Sequence, residues 1–135
     1  MAGYSGTPLV KKLGYKPGMK IKTIGEPAEY RNWIAPLPEN VQIANRNLDL
    51  IHLFVKEQKK FKKELLRLKT ILQPAGMIWI SWPKKTSGIR SDLDENLIRE
   101  FALKNDLVDV KVCAVNETWS GLKLVIPLKK RTVTP

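Results

Sequence analysis

Two nearly continuous apolar runs, LDLIHLFV (48–55) and MIWISW (77–82), flank one strongly amphipathic segment. Continuous rather than alternating runs suit parallel strands covered on both faces. Between them, in EQKKFKKELLRLKTIL (57–72), Phe61, Leu65, Leu68 and Leu72 recur at i, i+4, i+7 and i+11. That spacing puts one apolar stripe along a helix, and QPAG (73–76) ends it. Strand, helix, strand in this order is a crossover unit, and such crossovers are right-handed.

The rest of the chain extends the same alternation. TPLVKKL (7–13) reads as a helix capped by Thr7, with Pro8 at its first position and Gly14 as its stop, within an N-terminal helical segment 1–18. KPG (16–18) is a turn, MKIKTIG (19–25) a strand, PAEYRNWIA (27–35) a helix and NVQIAN (40–45) a short strand. DLDENLIREFALKN (92–105) predicts a helix with acids in its first turn, where the macrodipole favours them. LVDVKVCAV (107–115) and LKLVIPL (122–128) are strands joined through NETWSG (116–121). KKRTVTP (129–135) reads as a flexible tail. The expected fold is a single α/β domain over 1–135: three layers, with a mostly parallel sheet of about six strands, helices on both faces and one antiparallel C-terminal strand.

Cysteine and charge bound the setting. Cys113 is the one cysteine of 135 residues, so no internal disulfide forms; a reducing compartment and an inert thiol are expected. No apolar run approaches the ~20 residues that span a bilayer. MAGYSGTPLVKKLG (1–14) lacks a signal-peptide layout, so a soluble cytoplasmic protein without membrane contact is expected. Lys and Arg number 24 against 13 acids, a net charge of +11. Seven of these bases lie between Lys56 and Lys69, on the outer sides of the helix, and read as a solvated face. No nucleic-acid reading element accompanies them, so nucleic acid ranks below a small anionic ligand or a protein partner.

A helix followed by a strand hairpin after a parallel core is similar to the methyltransferase-type Rossmann fold. KPGMKIKTIG (16–25) resembles its first strand, and LDLIHLFV with LQPAGMIWIS (72–81) resembles its fourth and fifth. The short length implies that one strand and helix of the first half are missing, giving a truncated topology. The strings YSGTPLVKKLG (4–14), SWPKKTSG (81–88) and VKVCAVNETWSGLKLVI (110–126) resemble a family of short bacterial proteins of unknown function. That resemblance implies a fold and no activity.

The methyltransferase resemblance implies S-adenosylmethionine, held by a glycine-rich turn after the first strand and an acid after the second. Here the turn reads Gly25-Glu26-Pro27-Ala28-Glu29, so Gly25 is the one cofactor-binding candidate left. Pro27 removes a backbone donor, and the two acids oppose an anion at the helix start. The second strand ends in Ile43-Ala44-Asn45-Arg46-Asn47, without an acid. No cofactor is therefore assigned. Tyr30, Trp33 or a loop filling the groove beside Gly25 would remove the enzymatic alternative.

In open α/β sheets ligands bind beyond the carboxyl ends of the strands. That edge is expected to hold Gly25-Glu26, Val55-Lys56 and Trp82-Pro83-Lys84-Lys85, with Glu117, Thr118, Trp119, Ser120 and Gly121 alongside. Two tryptophans and two lysines then share one surface suited to a flat anionic group, and the Ser87-Gly88 loop adds backbone donors. Trp82, Lys84, Lys85, Ser87, Glu117, Trp119 and Ser120 form the candidate ligand or partner site. His52 reads as a neutral core residue, Ser81 and Ser120 lack a visible base, and Asp92, Asp94 and Glu95 read as helix-start acids. No catalytic residue and no metal-ligand spacing emerges. A noncatalytic ligand- or partner-binding domain leads; a divergent methyltransferase and a nonspecific nucleic-acid-associated protein are the alternatives.

Overall fold

The computed structural model describes residues 7–131. Its six strands form one sheet in the order β2-β1-β3-β4-β6-β5. They are β1 (Lys20–Ile24), β2 (Gln42–Ile43), β3 (Leu48–Phe54), β4 (Leu72–Pro83), β5 (Val108–Ala114) and β6 (Trp119–Val125). β1 pairs in parallel with β2 and β3, and β3 in parallel with β4. β6 runs antiparallel to both β4 and β5, which makes it the one reversed strand.

Each face of the sheet carries its own core. On one face α3 (Gln58–Ile71) buries Phe61, Leu65 and Leu68, and α4 (Glu95–Lys104) buries Ile98 and Ala102. They close over Ile51, Leu53, Ile78, Ile80 and Trp82. Burying side chains of this size stabilises the fold by about 1.5–3 kcal/mol each. On the other face α1 (Leu9–Leu13) and α2 (Tyr30–Trp33) cover Leu50, Phe54, Trp79 and Trp119. The Trp79 indole N–H donates to the Leu13 carbonyl at 2.7 Å, so α1 is tied to the centre of the sheet. The two faces follow from the continuous apolar runs, because successive side chains of a strand point to opposite sides.

Several expected boundaries shift for local reasons. Pro8, not Thr7, occupies the N-cap of α1, with no side-chain cap bond; Gly14 ends the helix in the left-handed conformation as expected. The helix expected over 27–35 is a single turn, since Gly25–Glu29 is spent on a bend and Pro36 follows closely. QPAG does not separate α3 from the next strand: β4 starts at Leu72, at the end of α3. β6 starts at Trp119, so Trp119, Ser120 and Gly121 are strand residues rather than loop. At the start of the expected tail Leu128–Lys130 forms a 3-10 turn, Lys130 pairs with Asp106 at 3.0 Å, and Arg131 Nε donates to the Ile126 carbonyl at 2.9 Å. The expectations for residues 1–6 and 132–135 lie outside the described residues.

The strand order reverses between β1 and β3. From β1 the chain moves outward to β2; from β3 it moves the other way to β4. The helices that follow these two strands therefore lie on opposite faces, α2 on one and α3 on the other. A crevice opens where they part, at the carboxyl ends of β1 and β3.

Candidate functional site

A cleft of about 440 Å³ occupies that crevice, lined by Gly25, Pro27, Phe54, Val55, Lys56, Glu57, Lys60 and Trp119. Gly25 and Pro27 follow β1; Phe54 to Glu57 end β3 and open α3; Trp119 begins β6. Phe54 and Trp119 meet edge to face with centroids 5.1 Å apart, giving the cleft an aromatic floor. Lys56 and Lys60 are exposed at its rim, and neither forms an ion pair among the described residues. Glu57 is the one acid in the lining, so the cleft keeps a positive balance.

Gly25 is needed by the sheet itself. Its φ is +70°, and a Cβ there would stand 2.6 Å from the Phe54 carbonyl oxygen. Only glycine tolerates both conditions. The next residues are engaged locally: the Thr23 hydroxyl donates to Glu26 at 2.7 Å, and the Tyr30 N–H donates to the Pro27 carbonyl at 3.0 Å.

Tyr30 and Trp33 do not fill the groove. Tyr30 turns inward and is fully buried, and Trp33 packs edge-on against it; neither lines the cleft. Beneath the cleft Tyr30 joins a buried hydrogen-bonded chain. Its hydroxyl lies 2.8 Å from that of Tyr15 and 2.7 Å from His52 Nδ1, and His52 Nε2 lies 2.7 Å from Ser81 Oγ. The His52 ring stacks under Phe54 at 4.3 Å between centroids. Burial pushes the His52 pKa down to about 3 and, as the largest cause, the Tyr15 pKa up to about 12; the Tyr30 phenol is also raised, chiefly by burial. The expectation of a neutral core histidine agrees with this environment. The expectation that Ser81 lacks a base does not, because His52 is its hydrogen-bond partner. Ser81 and His52 are nonetheless both fully buried, so no substrate reaches them. The chain was missed in the sequence because its members, 15, 30, 52 and 81, share no spacing signal.

The loops after β4 and before β6 do converge. The Lys84 N–H donates to the Thr118 carbonyl at 2.8 Å, and Asn116 Oδ1 accepts from the N–H groups of Thr118 and Trp119 at 2.8 Å each. The two tryptophans, however, do not share a surface. Trp119 pairs with Pro83 and Trp82 with Ser120, so the pleat sends the rings to opposite faces. Trp82 joins the core under α3 and α4, while Trp119 joins the other one. Ser87 accepts from the Ile89 N–H at 3.1 Å within its own turn. Lys85 and Glu117 are exposed, and Lys84, Ser87 and Ser120 half-buried; of the candidate set only Trp119 borders the cleft. Phe54 and Lys60 were missed. Lys60 lies four residues after Lys56, across the start of α3, where helical spacing returns it to the cleft.

Asp92 is a helix-start acid of a different helix than expected: its Oδ1 accepts from the Gln58 N–H at 2.6 Å and caps α3. Asp94 caps α4 through the Leu97 N–H at 2.8 Å. Cys113 is half-buried, and burial pushes its thiol up, away from the thiolate that would react. Among the described residues no group of three His, Cys, Asp or Glu side chains is placed to hold a metal, and no helix is long and apolar enough to cross a membrane.

No protein-family model and no curated protein matches the sequence. Solved structures do match the fold. A SAM dependent methyltransferase from Aquifex aeolicus superposes with a TM-score of 0.58 at 15% identity, over 88% of each chain. Magnesium protoporphyrin IX methyltransferase from Synechocystis PCC 6803, with bound SAH, gives 0.58 at 11% identity over 88% of this chain and 78% of that one. Aeropyrum pernix fibrillarin, with natively bound S-adenosyl-L-methionine, gives 0.57 at 11% identity over 90% and 70%. The chain therefore has the α/β Rossmann-like methyltransferase fold, with a six-stranded, mostly parallel sheet and one antiparallel strand.

The fold implies S-adenosylmethionine, and the residues at its place do not fit that cofactor. The position for a ribose-binding acid after β2 holds Asn45, whose Oδ1 accepts from Lys22 Nζ at 3.2 Å. The single glycine of the first turn is consumed by contact with Phe54, and Pro27 offers no N–H. The helix that should point its N-terminus at the cofactor is only four residues long and has acidic Glu29 at its N-cap. A second, smaller cleft of about 210 Å³, between Lys22, Glu26, Arg31 and Ile43, lies on the other side of the same turn.

Proposed function

We propose that this chain is a ligand-binding domain without catalytic groups of its own, which takes a small anion bearing a flat ring at the switch-point cleft. A nucleoside monophosphate represents the class. The observation that carries the reading is the position of Lys56 and Lys60 over the Phe54–Trp119 floor, where the strand order reverses. Cations without carboxylate partners favour a phosphate, and an aromatic floor favours a ring. Lys84, Lys85, Ser87 and Glu117, on the converging loops outside the cleft lining, are the surface that a larger ligand or a protein partner would meet. Trp82 and Ser120 face the other side of the sheet from Trp119 and hold that strand end in place. The test is calorimetric titration with adenosine 5′-monophosphate. Binding that is lost when Lys56 and Lys60 are both replaced by Gln supports the reading, and silence with the unaltered chain removes it.

A divergent S-adenosylmethionine-dependent methyltransferase is the second reading. It draws on the fold and on the open groove beside Gly25. Against it stand the engaged Asn45, Pro27 and the shortened α2. Titration with S-adenosylmethionine and its demethylated product separates the two.

A further inference from the structure

Helix α3 carries a row of exposed cations with few acids to balance them. Its first turn holds no acid, while Lys59 and Lys60 stand there against the positive end of the macrodipole. Lys59, Lys63 and Arg67 follow one another at i, i+4 and i+8 on the exposed face, and like charges at that spacing repel. Only Arg67 among these has an acid, Glu64 at 2.8 Å. Lys59, Lys60 and Lys63 form no ion pair among the described residues. The other bases of the helix are already used. Lys62 lies 5.5 Å over the Phe101 ring and donates to Gln58, and Lys69 donates to the Asn105 carbonyl beside Asp106.

Helix α4 places its charges to match the macrodipole. Asp94 caps it, Glu95 sits in its first turn and Lys104 in its last. α3 lacks an acid within its first turn: its capping acid, Asp92, comes from a distant loop, while its last turn carries Lys69 as α4 carries Lys104. A row of cations spanning about 12 Å at 1.5 Å per residue faces outward, and Glu64 beside Arg67 is its one ion-pair partner among the described residues.

We infer that the outer face of α3, through Lys59, Lys63 and Arg67, is a docking surface for the phosphate backbone of a nucleic acid. A polyanion supplies phosphate partners to Lys59 and Lys63, which have none among the described residues, and adds a second anion beside Arg67. An anionic bilayer fits less well, because Leu66 is the one large exposed apolar side chain on the helix and no aromatic anchor accompanies it. Binding is to backbone, without sequence preference, and falls steeply with salt. Lys59, Lys63 and Arg67 do not line the cleft, so this inference and the cleft reading fail separately.

The experiment is fluorescence anisotropy of a labelled mixed-sequence single-stranded RNA, titrated with the full chain across a salt series. The double variant Lys59→Gln, Lys63→Gln is compared with Lys16→Gln, Lys20→Gln, which has the same net charge. The expected result is binding at low salt, with the salt slope reduced by about 1.4 in the first variant, about 0.7 per lost phosphate contact, and unchanged in the second. No anisotropy change at the lowest salt overturns the inference. So does an equal slope change in both variants, which makes net charge alone responsible. Tighter binding to phosphatidylserine vesicles than to RNA, lost in the first variant, also overturns it in favour of a membrane surface.

Discussion

Nε2 of His52 lies 2.7 Å from Oγ of Ser81, on adjacent parallel strands and fully shielded from water. With Tyr30 on Nδ1, the imidazole has both nitrogens satisfied while neutral and no place for a charge. The folded pKa of about 3 is below the ordinary 6.5, so below pH 6.5 the unfolded chain binds a proton that the folded chain does not. This contribution to stability is complete above pH 6.5 and is lost as pH falls toward 3. Urea unfolding of the native chain and of His52→Gln at pH 7, 6 and 5 should show the native chain losing more stability over that range. The limiting slope is about 1.4 kcal/mol per pH unit. Parallel curves for the two proteins contradict a neutral buried His52.

Tyr30 is the middle of the buried chain, and Tyr15 is its end. Tyr30→Phe strands both the Tyr15 hydroxyl and His52 Nδ1, whereas Tyr15→Phe removes one contact. The expected losses are about 2–4 kcal/mol for the first and about 1 kcal/mol for the second. Thermal unfolding of both ranks them, and an equal loss contradicts a connected network.

Gly25 and Gly18 both have positive φ, +70° and +77°, yet only Gly25 has a backbone oxygen where a Cβ would go. Gly18→Ala carries the conformational cost alone, about 1 kcal/mol. Gly25→Ala adds a clash with the Phe54 carbonyl that only a shift of β1 from β3 relieves, and should cost at least twice as much. Denaturant midpoints for the two variants check this. If the remaining glycine served a cofactor alone, Gly25→Ala would be no worse than Gly18→Ala.

The crossover unit was legible because its apolar pattern is long and its physics local. LDLIHLFV, the Phe61–Leu65–Leu68 stripe and MIWISW place β3, α3 and β4 within a residue or two, apart from the early start of β4. α2 was over-read because an opening proline says where a helix can start, not how far the turn before it extends. The site was half legible. Strand ends named Gly25, Lys56 and Trp119, but side-chain direction depends on register. Moving the start of β6 back to Trp119 makes Trp119 a strand residue like Trp82, and the pairing turns the two to opposite faces. The Tyr15–Tyr30–His52–Ser81 chain depends on four separate elements meeting, which no local pattern records.

The cleft predicts a separation between ring and phosphate contacts. Trp119→Phe keeps an aromatic floor and should weaken adenosine 5′-monophosphate binding by only a few fold. Lys60→Gln, one turn into α3, should weaken it by roughly tenfold, the scale of one charge-assisted contact. Competition with inorganic phosphate checks the assignment: phosphate should displace the nucleotide, while adenosine should not compete detectably at equal concentration.

The switch-point cleft beside Gly25 is proposed to take an anion over its aromatic floor and not S-adenosylmethionine. Side-by-side calorimetric titration of the native chain with adenosine 5′-monophosphate and S-adenosylmethionine tests it most directly. The expected result is saturable heat from the nucleotide, abolished in Lys56→Gln, Lys60→Gln, and none from S-adenosylmethionine. Saturable binding of S-adenosylmethionine that is indifferent to both lysines, with no response to the nucleotide, would contradict it.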